Sequence, residues 1–419
     1  MKFSKLSQLF LVSSIGLLVA TLLTACQLVT IDYVFVASSA GSGTSSDGQI
    51  ETYAVDSQSG ALRTGASSVS SGGVNPVSMA VTSDYANLYV ANQGNNILAH
   101  FTIAANGVLT SKDTVTLGNQ GSTPVALAVN AANTYLYVVS ADYPGPSGPL
   151  PGAVLTVFPL SKGTLGTPVA NGPLSYWPLA VPGYTSDLIV PTGVTVLANN
   201  NAVYVTAYDQ SAYNPGGTVT STANPGWVFG YNVGSGGALT TASGSPWKAG
   251  VKPTAIAADP TNRFVYVTDF ASNQLIGYTI QSGSILDFLI NGPFRSGSEP
   301  SALAIDPRGK YIYVSNALDS SVTAYAIDLS TGTPSTAVNP TGSGTNTTDT
   351  QPVSIVIDPA LGRFVYTANY LGNSVSGFRL DPNTGALTTT QATPYPTGAK
   401  PTAVIAVPHG NHSTQSVTP

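Results

Sequence analysis

Three stretches decide the fold: Pro253-Thr-Ala-Ile-Ala-Ala-Asp-Pro260 runs into Phe264-Val-Tyr-Val-Thr-Asp269, Pro300-Ser-Ala-Leu-Ala-Ile-Asp-Pro307 into Tyr311-Ile-Tyr-Val-Ser-Asn316, and Pro352-Val-Ser-Ile-Val-Ile-Asp-Pro359 into Phe364-Val-Tyr-Thr-Ala-Asn369. Each has a proline-led apolar run, a polar turn, and a strand built on an aromatic and a valine. Weaker copies open at Pro76, Pro124 and Pro191, so the unit recurs at intervals of roughly 50 residues. Such a period, with several strands per unit, is that of a propeller.

A seventh copy is divided between the two ends of the chain. Ile31-Asp-Tyr-Val-Phe-Val-Ala-Ser38 is a second strand with no first strand before it, and Pro401-Thr-Ala-Val-Ile-Ala-Val407 is a first strand with nothing after it. Pairing the two completes one blade, closes the ring and removes an exposed sheet edge. The expectation is an all-β, seven-bladed β-propeller of four-stranded antiparallel blades spanning residues 31–407. Third strands alternate, as in Ser374-Val-Ser-Gly-Phe-Arg-Leu380, and lead into turns such as Asp381-Pro-Asn-Thr-Gly-Ala-Leu387.

Residues 1–26 read as an export signal. Lys2 and Lys5 precede an apolar stretch from Leu9 to Leu23, which ends in Leu23-Thr-Ala-Cys26. That ending resembles the lipobox of bacterial lipoproteins, which implies lipidation of Cys26, the chain's one cysteine, and an envelope location. Residues 27–30 would be a tether reaching roughly 14 Å, and residues 408–419 a polar tail. The start of the domain, and hence the bottom face, would then lie near the membrane. With Cys26 used, no thiol or disulfide chemistry remains.

Charged residues are only 8% of the chain and the net charge is −5. Nucleic-acid binding needs a concentrated basic surface and is excluded on that ground. A monomer is expected.

Propeller ligands meet the loops at the top of the central channel, where two residues arrive from each blade. The residues before the opening prolines are Lys400, Asn75, Thr123, Val190, Lys252, Glu299 and Gln351. The residues ending the Tyr-Val strands are Ser38, Asn92, Ser140, Ala207, Asp269, Asn316 and Asn369. The Asn and Asp of the second set either face the channel or terminate their strands by bonding backbone. Long insertions at 142–152, 168–190 and 208–227 bring Trp177, Tyr208 and Trp227 to one side. These rings would form either a sugar-binding wall or the packing of the loops themselves.

The Tyr-Val-Thr-Asp269, Tyr-Val-Ser-Asn316 and Tyr-Val-Ala-Asn92 strands, with the Asp381–Leu387 turn, resemble the YVTN repeat. They are also similar to the seven-bladed lactonase family that includes bacterial 6-phosphogluconolactonase. The resemblance implies hydrolysis of a sugar lactone without metal or organic cofactor. It carries over no catalytic residue. From the residues themselves, Glu299 and Asp269 are candidate bases and Lys252 a candidate electrostatic partner. Phosphate recognition favours arginine, and Arg263, Arg308 and Arg363 fall at bottom turns, so a phosphorylated substrate fits poorly. The sparse charge at the top favours a binding or scaffolding module for a carbohydrate or protein, with lactone hydrolysis as the alternative.

Overall fold

The computed structural model describes residues 29–40, 47–118, 121–145, 148–183, 189–210, 225–337 and 344–410. The leader with Cys26, the first half of the tether and the end of the tail lie outside them. Seven antiparallel sheets follow one another around a ring. Blade 7 shows the plan: Pro352–Ile357 is innermost, then Phe364–Asn369, Ser374–Leu380 and a broken outer strand, Leu387–Thr389 and Tyr395–Pro396. Among the described residues, only blade 2 has an unbroken outer strand, Leu109–Thr116.

The split blade forms as expected. Ala399–Pro408 is the inner strand beside Thr30–Ala40, pairing Asp32 with Pro408 at one end and Ala40 with Ala399 at the other. Both strands run slightly beyond their sequence-based limits. The insertion at 142–152 is no irregular loop: the second and third strands of blade 3 continue as a hairpin, pairing Asp142 with Pro151 and Gly145 with Gly148.

The seven inner strands neighbour one another around the axis. In every blade the register slips by one residue just after the opening position, as between Pro300 and Ala302 and between Pro352 and Ser354. Such a bulge turns the extra residue away from its own sheet. At Thr254, Ser301 and Thr402 the bulged hydroxyl donates to the carbonyl of the next blade's opening proline, Pro300, Pro352 and Pro76, at 2.6–2.7 Å.

The signature tyrosine has a role of the same kind farther out. Tyr89, Tyr204, Tyr266, Tyr313 and Tyr366 are fully buried. Each hydroxyl donates to a carbonyl in the outer turn of the following blade: Gly163, Ser284, Gly332, Gly385 and Gly60 respectively. Two residues before Tyr266, Tyr313 and Tyr366 stands an aromatic that lies on the same turn, so a side chain at Gly332 (φ +76°) would begin 2.4 Å from the Phe264 ring. The apolar core accordingly lies between blades, as where Phe264 and Tyr266 of blade 5 pack on Ile312, Val314 and Tyr325 of blade 6.

At the bottom, Asp259, Asp306 and Asp358 are buried and close their turns by accepting backbone amides, for Asp306 those of Lys310 and Tyr311. Asp32, at the closing seam, is equally buried but lacks the set of turn amides that the other three accept. Burial first, then the neighbouring Asp358 charge, pushes its carboxyl up to about 9, so it is a neutral acid at pH 7. Asp358, held by three amides, is the member of the pair suited to carry the charge.

Two predictions follow from these contacts. Tyr366→Phe removes a clasp and should cost about 1 kcal/mol in denaturant unfolding. Tyr137, whose buried hydroxyl has no partner among the described residues, serves as the internal comparison, and Tyr137→Phe should be neutral or stabilising. For Asp32, the folded carboxyl holds its proton far above the unfolded value of 3.8. Its penalty is therefore absent below about pH 4 and grows as pH rises toward about 9. Asp32→Asn should raise the melting temperature most at pH 8 and flatten its decline between pH 5 and 9; parallel profiles for the two proteins would refute this.

Candidate functional site

The residues before the opening prolines form the top-face ring, and the backbone explains why they stand there. Asn75, Thr123, Glu299, Gln351 and Lys400 all have φ between +54° and +59°. A following proline discourages the right-handed helical region, and this left-handed kink starts the inner strand at the top face. Main-chain bonds pin the kink on both sides. The amides of Thr123, Glu299 and Lys400 donate to the side-chain oxygens of Asn96, Asn273 and Asn373, each from the preceding blade, at 2.8 Å. The carbonyls of Asn75, Lys252, Glu299 and Gln351 accept from the residue that follows the second strand of their own blade. These asparagine clamps were not singled out in the sequence. Their signal is an Asn four residues after the Asn or Asp that ends the Tyr-Val strand.

The second predicted set lies elsewhere. Asn92, Asn316, Asn369 and Asp269 are fully buried and hold loops together. Asn92 exchanges hydrogen bonds with Ser71, and the Asn316 amide donates to Ser321 and Thr323. Asn369 does the same with Ser374 and Ser376. Asp269 accepts the amides of Val251 and Lys252 at 3.0 and 2.9 Å and the side-chain amide of Gln274. Its carboxylate orients the loop that carries Lys252. Expecting these four as ligand or catalytic groups was a misreading: a side chain ending a central strand points between blades.

The aromatic wall is corrected in the same way. Trp177 and Trp227 are 7% and 3% exposed and belong to the apolar cluster between blades 3 and 4, with the Trp177 indole donating to the Leu239 carbonyl at 3.1 Å. Tyr208 is 8% exposed, although its ring still lies 5.8 Å from the Lys252 ammonium.

What remains at the top is a small charged group. Lys252 is half-buried, with its ammonium 4.3 Å from the centre of the Phe270 ring. Burial lowers its pKa and the nearby Glu299 charge pulls it back up. Glu299 is half-buried, its main chain is fixed by Asn273 and Ala317, and its carboxylate has no hydrogen-bond partner among the described residues. Around the ring stand Gln351, whose buried Oε1 is unpartnered, Asn75 near Gln93, and Lys400 beside the Tyr370 ring at 5.9 Å. A carboxylate and an ammonium on rigid backbone, beside the unsatisfied amide oxygen of Gln351, suit a neutral polyhydroxylated ligand with a polarisable carbonyl.

Asp269→Ala would leave buried amides without their acceptor. It should cost about 3 kcal/mol of stability, whereas Glu299→Ala should cost less than about 0.5 kcal/mol. Thermal melts of the two variants check this.

A family model described as lactonase, 7-bladed beta-propeller, matches residues 227–347 and, in an overlapping second match, 286–406. No curated protein matches the sequence. Among solved structures, the periplasmic gluconolactonase of Pseudomonas aeruginosa is 17% identical, with a TM-score of 0.69, over 91% of this chain and 100% of its own. A candidate 6-phosphogluconolactonase from Bacteroides uniformis is 18% identical, with a TM-score of 0.68, over 90% and 100%. A selenium-binding-type protein from Sulfolobus tokodaii is 12% identical, with a TM-score of 0.65, over 94% and 97%. At these identities the structures speak for the fold.

Proposed function

We propose that this chain, a seven-bladed β-propeller of the lactonase type, opens an unphosphorylated sugar lactone at its top face. The observation that carries the reading is the pairing of an unpartnered Glu299 carboxylate with a desolvated Lys252 ammonium on the pinned ring, together with the family match over residues 227–406. Glu299 removes a proton from water as its oxygen attacks the lactone carbonyl, and Lys252 stabilises the oxyanion that forms. Collapse breaks the ring C–O bond, and the proton held by Glu299 passes to the departing alkoxide, which gives the open hydroxy acid. Asp269 is a positioning residue that fixes the loop bearing Lys252.

The bottom arginines support an unphosphorylated substrate. Arg308 is bound to Asp306 and to the carbonyls of Leu361 and Gly362, and Arg263 to Thr261 and the Leu329 carbonyl. Both serve turns at the opposite end of the channel. With Trp177 and Trp227 buried, the pure binding-module reading loses its aromatic wall. The Cys26 lipobox favours an exported, lipid-anchored protein, a setting in which free sugar lactones are available and cytosolic sugar phosphates are not.

Initial-rate hydrolysis of glucono-1,5-lactone and related aldonolactones, corrected for the uncatalysed reaction, tests the proposal. Glu299→Gln should lower kcat by about 10²-fold or more, and Lys252→Ala should also lower kcat with little change in melting temperature. A wild-type protein no faster than buffer across the panel, or a fully active Glu299→Gln, would overturn it.

A further inference from the structure

The seams between blades 5 and 6 and between blades 7 and 1 are built on one plan, and they differ in a way that defines a ligand. In both, a tyrosine of the third strand donates to a carbonyl on the outer strand of the preceding blade at 2.7 Å: Tyr325 to Arg295, and Tyr53 to Pro396. In both, the next residue donates its amide to the clamp asparagine's carbonyl at 3.0 Å: Ser296 to Asn273, and Thr397 to Asn373. Gly297 and Gly398 are therefore equivalent positions, as are Thr323 and Glu51, each two residues before its tyrosine.

In the blade 7–1 seam, the Glu51 carboxylate takes the Gly398 amide with both oxygens, at 2.8 and 2.9 Å. In the blade 5–6 seam that carboxylate is missing, because Thr323 stands in its place. The Gly297 amide accordingly has no acceptor among the described residues. A cleft of about 650 Å³ opens there, against about 400 Å³ at the seam that keeps its glutamate. Arg295 stands at the wall of the larger cleft, where the other seam has Pro396. Its guanidinium has no hydrogen-bond or ion-pair partner among the described residues. The Thr323 hydroxyl accepts from Asn316 at 2.9 Å and lies within hydrogen-bond reach of the Tyr325 hydroxyl.

We propose that this cleft is a second site, separate from the Glu299–Lys252 centre, which binds a sugar acid by its carboxylate. The ligand's carboxylate takes the place that Glu51 fills in the other seam, receiving the Gly297 amide and a fork from Arg295. Next to Gly297, one oxygen of Asp319 is engaged by the Ser298 amide at 2.6 Å. Asn273 and Gln274 supply further polar groups. A carboxylate at one end and hydroxyls along the rest is the chemistry of a uronate or aldonate. The site stands whether or not the chain hydrolyses lactones.

Titration of the full chain with D-glucuronate, beside methyl glucoside as the uncharged control, tests the assignment by calorimetry or by chemical-shift perturbation. Saturable binding of glucuronate but not of the glucoside is expected. Arg295→Ala should weaken it by about tenfold or more. Thr323→Glu, which rebuilds the arrangement of the other seam, should abolish binding while preserving the melting temperature. Glu299→Gln should bind as the wild type does, which separates this cleft from product binding at the top face. The assignment fails if the wild type shows no saturable binding, if Thr323→Glu and Arg295→Ala bind glucuronate unchanged, or if Glu299→Gln is the variant that loses it.

Discussion

Each blade of this molecule is a sheet with two apolar faces, and neither face is buried until a neighbour covers it. The structure depends on that constraint, and the recurrent tyrosine is its most specific expression. A phenol hydroxyl reaches out of one blade to a turn carbonyl of the next, while the aromatic two residues earlier covers a left-handed glycine in the same turn. The hydrogen bond is buried, so leaving it unmade is costly. The apolar contact fixes the angle at which the blades meet. Nearer the axis the bulged Thr and Ser hydroxyls repeat the device, and between them the two rings of contacts set both the pitch and the closure.

Rigidity at the rim of the channel follows from the same arrangement. A residue such as Glu299 is held at its amide by the preceding blade and at its carbonyl by its own. Its side chain can therefore be presented to a ligand at little conformational cost, which is what a preorganised site requires. The chain has few charges, but the top face does not need many. One carboxylate beside one desolvated ammonium provides a base and an oxyanion partner, provided that neither is free to wander.

The blade count, the split blade and the order of strands were legible because they rest on local periodicity and on the proline that opens each inner strand. The pre-proline residues were legible for the same reason. Asn92, Asn316, Asn369 and Asp269 were not, since an Asn or Asp at the end of a strand looks the same whether it faces a channel or bonds a neighbouring loop or strand. Their partners Ser71, Ser321, Ser374 and Val251 are 5 to 21 residues away in sequence and carry no mark of the pairing. Trp177 and Trp227 misled for a related reason: a large ring in an inserted segment can serve a ligand or a seam, and only the position of the neighbouring blade decides. The Glu51–Thr323 difference becomes visible only when two seams are laid over one another.

The seam that closes the ring joins Asp32–Ala40 to Ala399–Pro408, so its two partners are separated by nearly the whole chain. Six blades can stack in order as they are made, but the last one waits for the final segment to emerge. Pairing at such separation carries the largest loop-closure entropy in the molecule and belongs to the slow, non-local class of folding steps. Until then both edges of the growing arc are open strands. Completion of the ring is therefore a late event governed by the strand Ala399–Pro408, and a chain released before that strand has paired is left as an arc with two adhesive ends.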